Sequence, residues 1–129
     1  MIQKPKKKTN WEKQYNAEFS KKVREKGYCE FHHILSLKGI NSPCKCNDVL
    51  QCCHKITRSK KIIKYDFRNV FCGCSGSNVW ANYNQIQWNE LWKRMFPEDV
   101  EYLEMKLMER YTKRNDWTWK IMLDELKKA

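Results

Sequence analysis

The stretch from Val49 to Trp80 reads VLQCCHKITRSKKIIKYDFRNVFCGCSGSNVW. In order it presents His54, a basic loop, Asn69, a cysteine knuckle and Asn78. The chemistry these residue types could perform together is phosphodiester hydrolysis. That reaction needs an activated water, a cation at the scissile phosphate and a stabilised leaving oxygen. A neutral imidazole on a rigid strand can deprotonate the water, provided something orients its ring. A catalytic Mg²⁺ or Mn²⁺ needs oxygen ligands and open positions, and the side-chain oxygen of Asn78 on a helix can be one such ligand. Asn69, between them, can hold the backbone beside the histidine. Taken singly, His54 reads as a buried, hydrogen-bonded histidine and each asparagine as turn chemistry. Their combination around one knuckle is what points to a site.

The chain holds seven cysteines, an odd number that leaves no complete intramolecular disulfide framework. No apolar run approaches the ~20 residues that span a bilayer, and the basic start MIQKPKKKTN has no apolar segment after it. The expected setting is therefore a reducing cytoplasm without membrane attachment, where clustered thiols point to Zn²⁺ rather than to bridges. Two half-sites compete upstream of His54. One is Cys29 with His32 or His33; the other is Cys44 with Cys46. Spacing alone leaves both open.

A net charge of +11 from 26 basic and 15 acidic residues favours a polyanionic partner, with nucleic acid first. Residues 1–9 read as a basic disordered arm and 10–129 as a single domain. Within it, 10–27 is an N-terminal helix, 44–82 the chemical core and 84–129 helical support. In the first helix Asn10 is the cap and Trp11, Tyr15, Phe19 and Val23 form the stripe. Asp48 to Cys53 and Val70 to Cys72 read as the strands of a hairpin, with Gly73 and Gly76 easing a tight turn. A helix is expected from Asn78 or just after. Further on, Trp88, Leu91, Trp92 and Met95 share an apolar face with Ile86 and Phe96. Pro97 opens another helix and Asn115 or Asp116 the last one. Phosphate contacts are expected from Lys6, Lys7 and Lys8 of the arm and from Lys55, Lys60, Lys61, Lys64 and Arg68 of the loop.

The segments LQCCHKITRS, KYDFRN and CSGSNVW together resemble the HNH endonucleases common in phage genomes. Their pattern runs Leu-Gln-Cys-x-His-x-x-x-Arg, then Asp-x-x-Asn, then Cys-x-x-Cys-His-x-Trp. The likeness covers Leu50 to Trp80 and, more loosely, the Trp-rich region to Pro97. It is similar also to phage recombination and junction-resolving nucleases of the ββα-metal fold. The resemblance implies an α+β protein with a small zinc-stabilised ββα-metal core between N- and C-terminal helices. It implies metal-dependent cleavage or nicking of DNA, branched or nicked DNA included, inside a bacterial host, and leaves a homodimer open. It places His54 as general base, Asn69 as the middle asparagine, Asn78 as ligand of the catalytic ion and Arg58 on the phosphate. Ser77 stands where the pattern has its second knuckle cysteine. Cys72 can substitute, which makes Cys44, Cys46, Cys72 and Cys74 the expected zinc set, with Cys29 and His32 as the alternative half-site. Cys53 stands before the histidine where many relatives carry Asp or His. The competing readings are a zinc-knuckle nucleic-acid-binding protein without catalysis and a phage structural or assembly component.

Overall fold

The computed structural model describes residues 9–129; Lys6, Lys7 and Lys8 of the expected arm lie outside them. The chain is α+β, with six α-helices and one two-stranded antiparallel sheet among the described residues. No helix among them is long and apolar enough to cross a membrane.

Helix α1 (Trp11–Arg24) begins where the Asn10 side chain accepts the Lys13 N–H at 3.0 Å, so the cap expected from sequence is made. It buries Tyr15, Phe19 and Val23, one residue per turn. Gly27 follows with φ of +79°, a conformation a β-carbon would penalise. Helix α2 (Glu30–Leu37) lies where the sequence reading had only loop markers and candidate ligands. It forms because Phe31 and Leu35, one turn apart, are both withdrawn from water.

Strands β1 (Leu50–His54) and β2 (Val70–Cys74) pair directly, with Cys52 opposite Cys72, Cys53 opposite Phe71 and His54 opposite Val70. Strand β2 runs on to Cys74, past the expected Cys72, while β1 begins at Leu50 rather than Asp48 and ends on His54, which keeps the histidine on a strand. Helix α3 (Ser75–Tyr83) starts at once, capped by the Cys74 sulfur, which accepts the Ser77 N–H at 3.3 Å. Then come α4 (Gln85–Met95), α5 (Pro97–Lys106) and α6 (Asp116–Lys128), the last capped by Asn115. Of the stripe expected in α4, only Ile86 turns outward.

The hairpin is the middle layer between two cores. On one side Val70 and Cys72 join Tyr15, Phe19, Trp119 and Leu123 of α1 and α6. On the other, Cys53 and Phe71 join Phe31, Trp88, Trp92 and Leu103 of α2, α4 and α5. The alternation of strand side chains sends neighbouring residues into different cores. That is why both faces of so short a sheet are apolar.

Glycines 73 and 76 serve close approach, not a turn. Neither has a positive φ. A β-carbon on Gly73 would sit 2.8 Å from the Cys53 sulfur, and one on Gly76 would sit 3.1 Å from the Lys45 carbonyl.

Candidate active site and metal cluster

The end of β1 and the helix after β2 bring His54, Arg58 and Asn78 to the wall of one cavity of about 290 Å³. The His54 Nε2–H donates to the Lys64 carbonyl at 3.0 Å. A carbonyl can only accept, so this bond fixes the neutral tautomer and leaves Nδ1 as the free acceptor. Burial, the largest influence, lowers the His54 pKa from its ordinary 6.5, and the charges of Arg58 and Lys64 push the same way against the opposing Lys64 carbonyl bond. The ring is thus a neutral base at physiological pH. The Asn78 Nδ2 donates to the Gln51 Oε1 at 3.0 Å, which leaves Asn78 Oδ1 open as an acceptor. Arg58 is exposed and pairs with no carboxylate among the described residues.

Asn69 does not line this cavity. It is fully buried beneath the loop after His54. Its Oδ1 accepts the Ile56 N–H at 2.9 Å, and its Nδ2 donates to the carbonyls of Ile56 at 3.0 Å and Ile63 at 3.3 Å. Its own carbonyl accepts the Lys55 N–H at 2.7 Å. The role expected for it, holding the backbone beside the histidine, is what these bonds do.

The basic loop divides. Lys60 and Lys61 face solvent. Lys55 does not, and the expected phosphate contact is corrected: its side chain is 4% exposed, its Nζ lies 2.8 Å from Asp99 Oδ2, and it sits over the Phe96 ring. Arg68 likewise belongs to the fold, with Nε 2.8 Å from Asp99 Oδ1 and the guanidinium stacked on Tyr102. Lys64 pairs with Glu12 at 3.6 Å. Burial alone would raise the Asp99 carboxyl, but the bonds from Lys55 and Arg68 outweigh it and hold the pKa below the ordinary range. Sequence reasoning missed Asp99 because its partners lie 44 and 31 residues away.

A second cluster forms where α2 meets the start of α3. The ligand atoms of Cys29, His32, Cys46 and Cys74 all lie within 4.8 Å of one another and could hold a metal ion. The expected set is therefore corrected at two positions. Cys72 is fully buried and faces the α1 and α6 core, as strand alternation from Phe71 requires. Cys44 stays beside the cluster as a neighbour, its carbonyl 2.9 Å from His32 Nε2. His33 is exposed and packs edge-on against Tyr28.

The cluster fits Zn²⁺ on several counts. With Zn–S near 2.3 Å and Zn–N near 2.0 Å, a tetrahedron has S···N edges of about 3.5 Å. His32 Nδ1 is 3.3 Å from the Cys29 sulfur and 3.7 Å from the Cys74 sulfur. His32 Nε2–H donates to the Cys44 carbonyl, which frees Nδ1 to ligate. Burial works against the Cys74 thiolate, but N–H groups of Asn47 and Ser77 aimed at the sulfur outweigh it and bring its pKa down to about 6. Zinc requires the thiolate form.

A catalytic divalent ion has a different fit. The cavity lining holds no carboxylate, and the Cys52 thiol that lines it is pushed up to about 11 by burial and stays protonated. Cys53 is buried in the core and does not reach the cavity. The oxygens the lining offers, Asn78 Oδ1 among them, are neutral, so such an ion would be held largely by the phosphate that accompanies it. Compared with protein-family models, curated proteins and solved structures, the chain matches none.

Proposed function

We propose that this chain is a metal-dependent endonuclease of the HNH type that cleaves or nicks DNA. The observation that carries the reading is one cavity shared by a neutral, oriented imidazole with a free Nδ1, an amide oxygen and a guanidinium, the last two without a donor or a carboxylate partner among the described residues. Those are the groups a phosphodiester hydrolase needs: a base for the water, a ligand for an ion and a cation for the phosphate. The order of the elements, two antiparallel strands followed at once by a helix, agrees with a ββα-metal core. His54 takes the water proton at Nδ1, and its Nε2–H bond to Lys64 stabilises the imidazolium that results. Arg58 holds the phosphate. A bound Mg²⁺ or Mn²⁺ would polarise the phosphate and neutralise the leaving oxygen. Zn²⁺ at Cys29, His32, Cys46 and Cys74 has a structural role, since four protein ligands leave it no open position.

A second reading, a zinc-stabilised DNA-binding module without catalysis, is favoured by the absence of carboxylates from the cavity lining. Plasmid relaxation with Mg²⁺ or Mn²⁺, wild type against His54→Ala, separates the two. The nuclease reading expects a loss of about 10²–10⁴ in rate for the variant with DNA affinity kept. Equal DNA binding with no cutting by either protein would establish the binding module instead.

A further inference from the structure

The cavity at His54 is larger than a phosphate requires, and its lining combines cationic, amide and apolar groups. Beyond Asn78 the wall is built by Asn82, Gln85 and Asn89, which continue the same helical spacing across the junction of α3 and α4. Ile56, Ala81 and Trp88 add apolar lining. The Trp88 Nε1–H is spent on the Lys55 carbonyl at 3.0 Å, so the ring offers the cavity carbon surface. Apolar lining beside amide groups suits the flat face and patterned edge of a nucleobase; of these amides, Gln85 Nε2 also donates to the Asn82 carbonyl at 3.4 Å and Asn89 Oδ1 accepts the Trp92 Nε1–H at 3.3 Å. At about 290 Å³ the space is large enough for one base.

The helix junction adds an independent observation. Tyr83 is 85% exposed and Ile86 79%, and each directly follows a cavity-lining residue in the chain, Asn82 and Gln85 respectively. Only Asn84 separates α3 from α4, so both side chains project from one tight junction. Large apolar side chains held in water beside a basic cavity are the kind that wedge into a base stack. The cavity lining carries Arg58 and no acid, so the partner that brings the base is a polyanion.

We propose that the cavity accepts one unstacked DNA base next to the phosphate held by Arg58. Asn82 and Gln85 contact its edge, and Tyr83 and Ile86 fill the gap it leaves. The placement of the phosphate rests on the nuclease reading; the binding does not require cleavage. Extruding a paired base costs far more than accepting one that is already unpaired. The chain therefore prefers DNA carrying an unpaired nucleotide over a perfect duplex of the same length.

The test is fluorescence anisotropy with the full chain, zinc retained and no Mg²⁺ or Mn²⁺ added, on a duplex with and without a single unpaired nucleotide. We expect the bulged DNA to bind about tenfold tighter or more. The double variant Asn82→Ala with Gln85→Ala should bring that ratio close to one. Gln85→Glu, which keeps the volume and places a carboxylate in the cavity, should lower it too and serves if the double variant does not fold. Equal affinity of the wild type for the two DNAs overturns the proposal, as does a preference that survives both changes. Neither result depends on cutting: a chain that cleaves perfect duplex and shows no preference loses this inference alone. A chain that shows the preference and cuts nothing loses the nuclease reading alone.

Discussion

Replacing Asn69 by alanine should be among the most damaging single changes in the chain, and its magnitude follows from which bonds have substitutes. The Asn69 side chain serves three backbone groups: the Ile56 N–H, the Ile56 carbonyl and the Ile63 carbonyl. The Ile63 carbonyl also accepts the Asp66 N–H at 3.1 Å and stays satisfied. The two Ile56 groups have no other partner among the described residues. An orphaned buried donor costs about 1–3 kcal/mol and an orphaned carbonyl less. The sum is about 2–4 kcal/mol against a total of roughly 5–15 for a domain of this kind. Asn69→Asp keeps the shape and the bond from the Ile56 N–H, but it sets a carboxylate oxygen against two carbonyls. Its loss should match or exceed that of alanine at neutral pH and shrink in acid as the introduced carboxyl protonates. Urea unfolding of the zinc-loaded chain, followed by tryptophan fluorescence, measures both. Alanine and wild type within about 1 kcal/mol of each other would refute the reasoning, because the loop would then be held by something other than this amide.

Cys29→Ser or Cys74→Ser should weaken zinc binding by roughly 10²–10³, since ~10–16 kcal/mol spread over four ligands gives about 3 kcal/mol each. Cys44→Ser and Cys72→Ser should keep one zinc per chain by elemental analysis. Asp99→Ala leaves the buried Lys55 charge unpaired and should cost about 3–5 kcal/mol in urea unfolding, most of it recovered when Lys55→Met is added. Because burial holds the folded His54 pKa below 6.5, the folded chain binds fewer protons than the unfolded one between those two values. The contribution of His54 to stability should be complete above about 6.5 and lost as pH falls through the folded value. An NMR titration of the His54 ring and the acid limb of a cleavage profile should share one midpoint on the low side of 6.5.

Periodicity and caps carried most of the elements in advance. Asn10, Asn115, Pro97 and the aromatic stripe of α1 mark helices by local physics alone. Helix α2 was hidden because its Cys29 and His32 read as ligands and its loop markers follow closely. Yet Phe31, Ile34 and Leu35 already have helical spacing. Lys55 could not be told from the other lysines of its loop. What buries it is Asp99 on a helix far along the chain, and such pairing leaves no local trace. The amide row of Asn78, Asn82, Gln85 and Asn89 was legible as spacing, but only the folded cavity gives the row a shared wall.

Ser77 bears on which residues can make up the candidate metal cluster. A second thiol there would complete a knuckle within a few residues and leave α2 free of it. Instead Ser77 is buried and its Oγ–H donates to the Cys74 carbonyl at 2.8 Å, closing the first turn of α3. The other candidate ligands beside Cys74 are Cys29 at the cap of α2, His32 inside it and Cys46. A metal ion there would clasp α2 to α3, two helices separated by the whole hairpin. Asn78 lies one turn along α3 from Cys74, so the same clasp would fix the base of the helix that presents the amide to the cavity. A metal ion held by this cluster would thus support both the apolar core around Phe31 and the placement of Asn78 on the cavity wall it shares with His54.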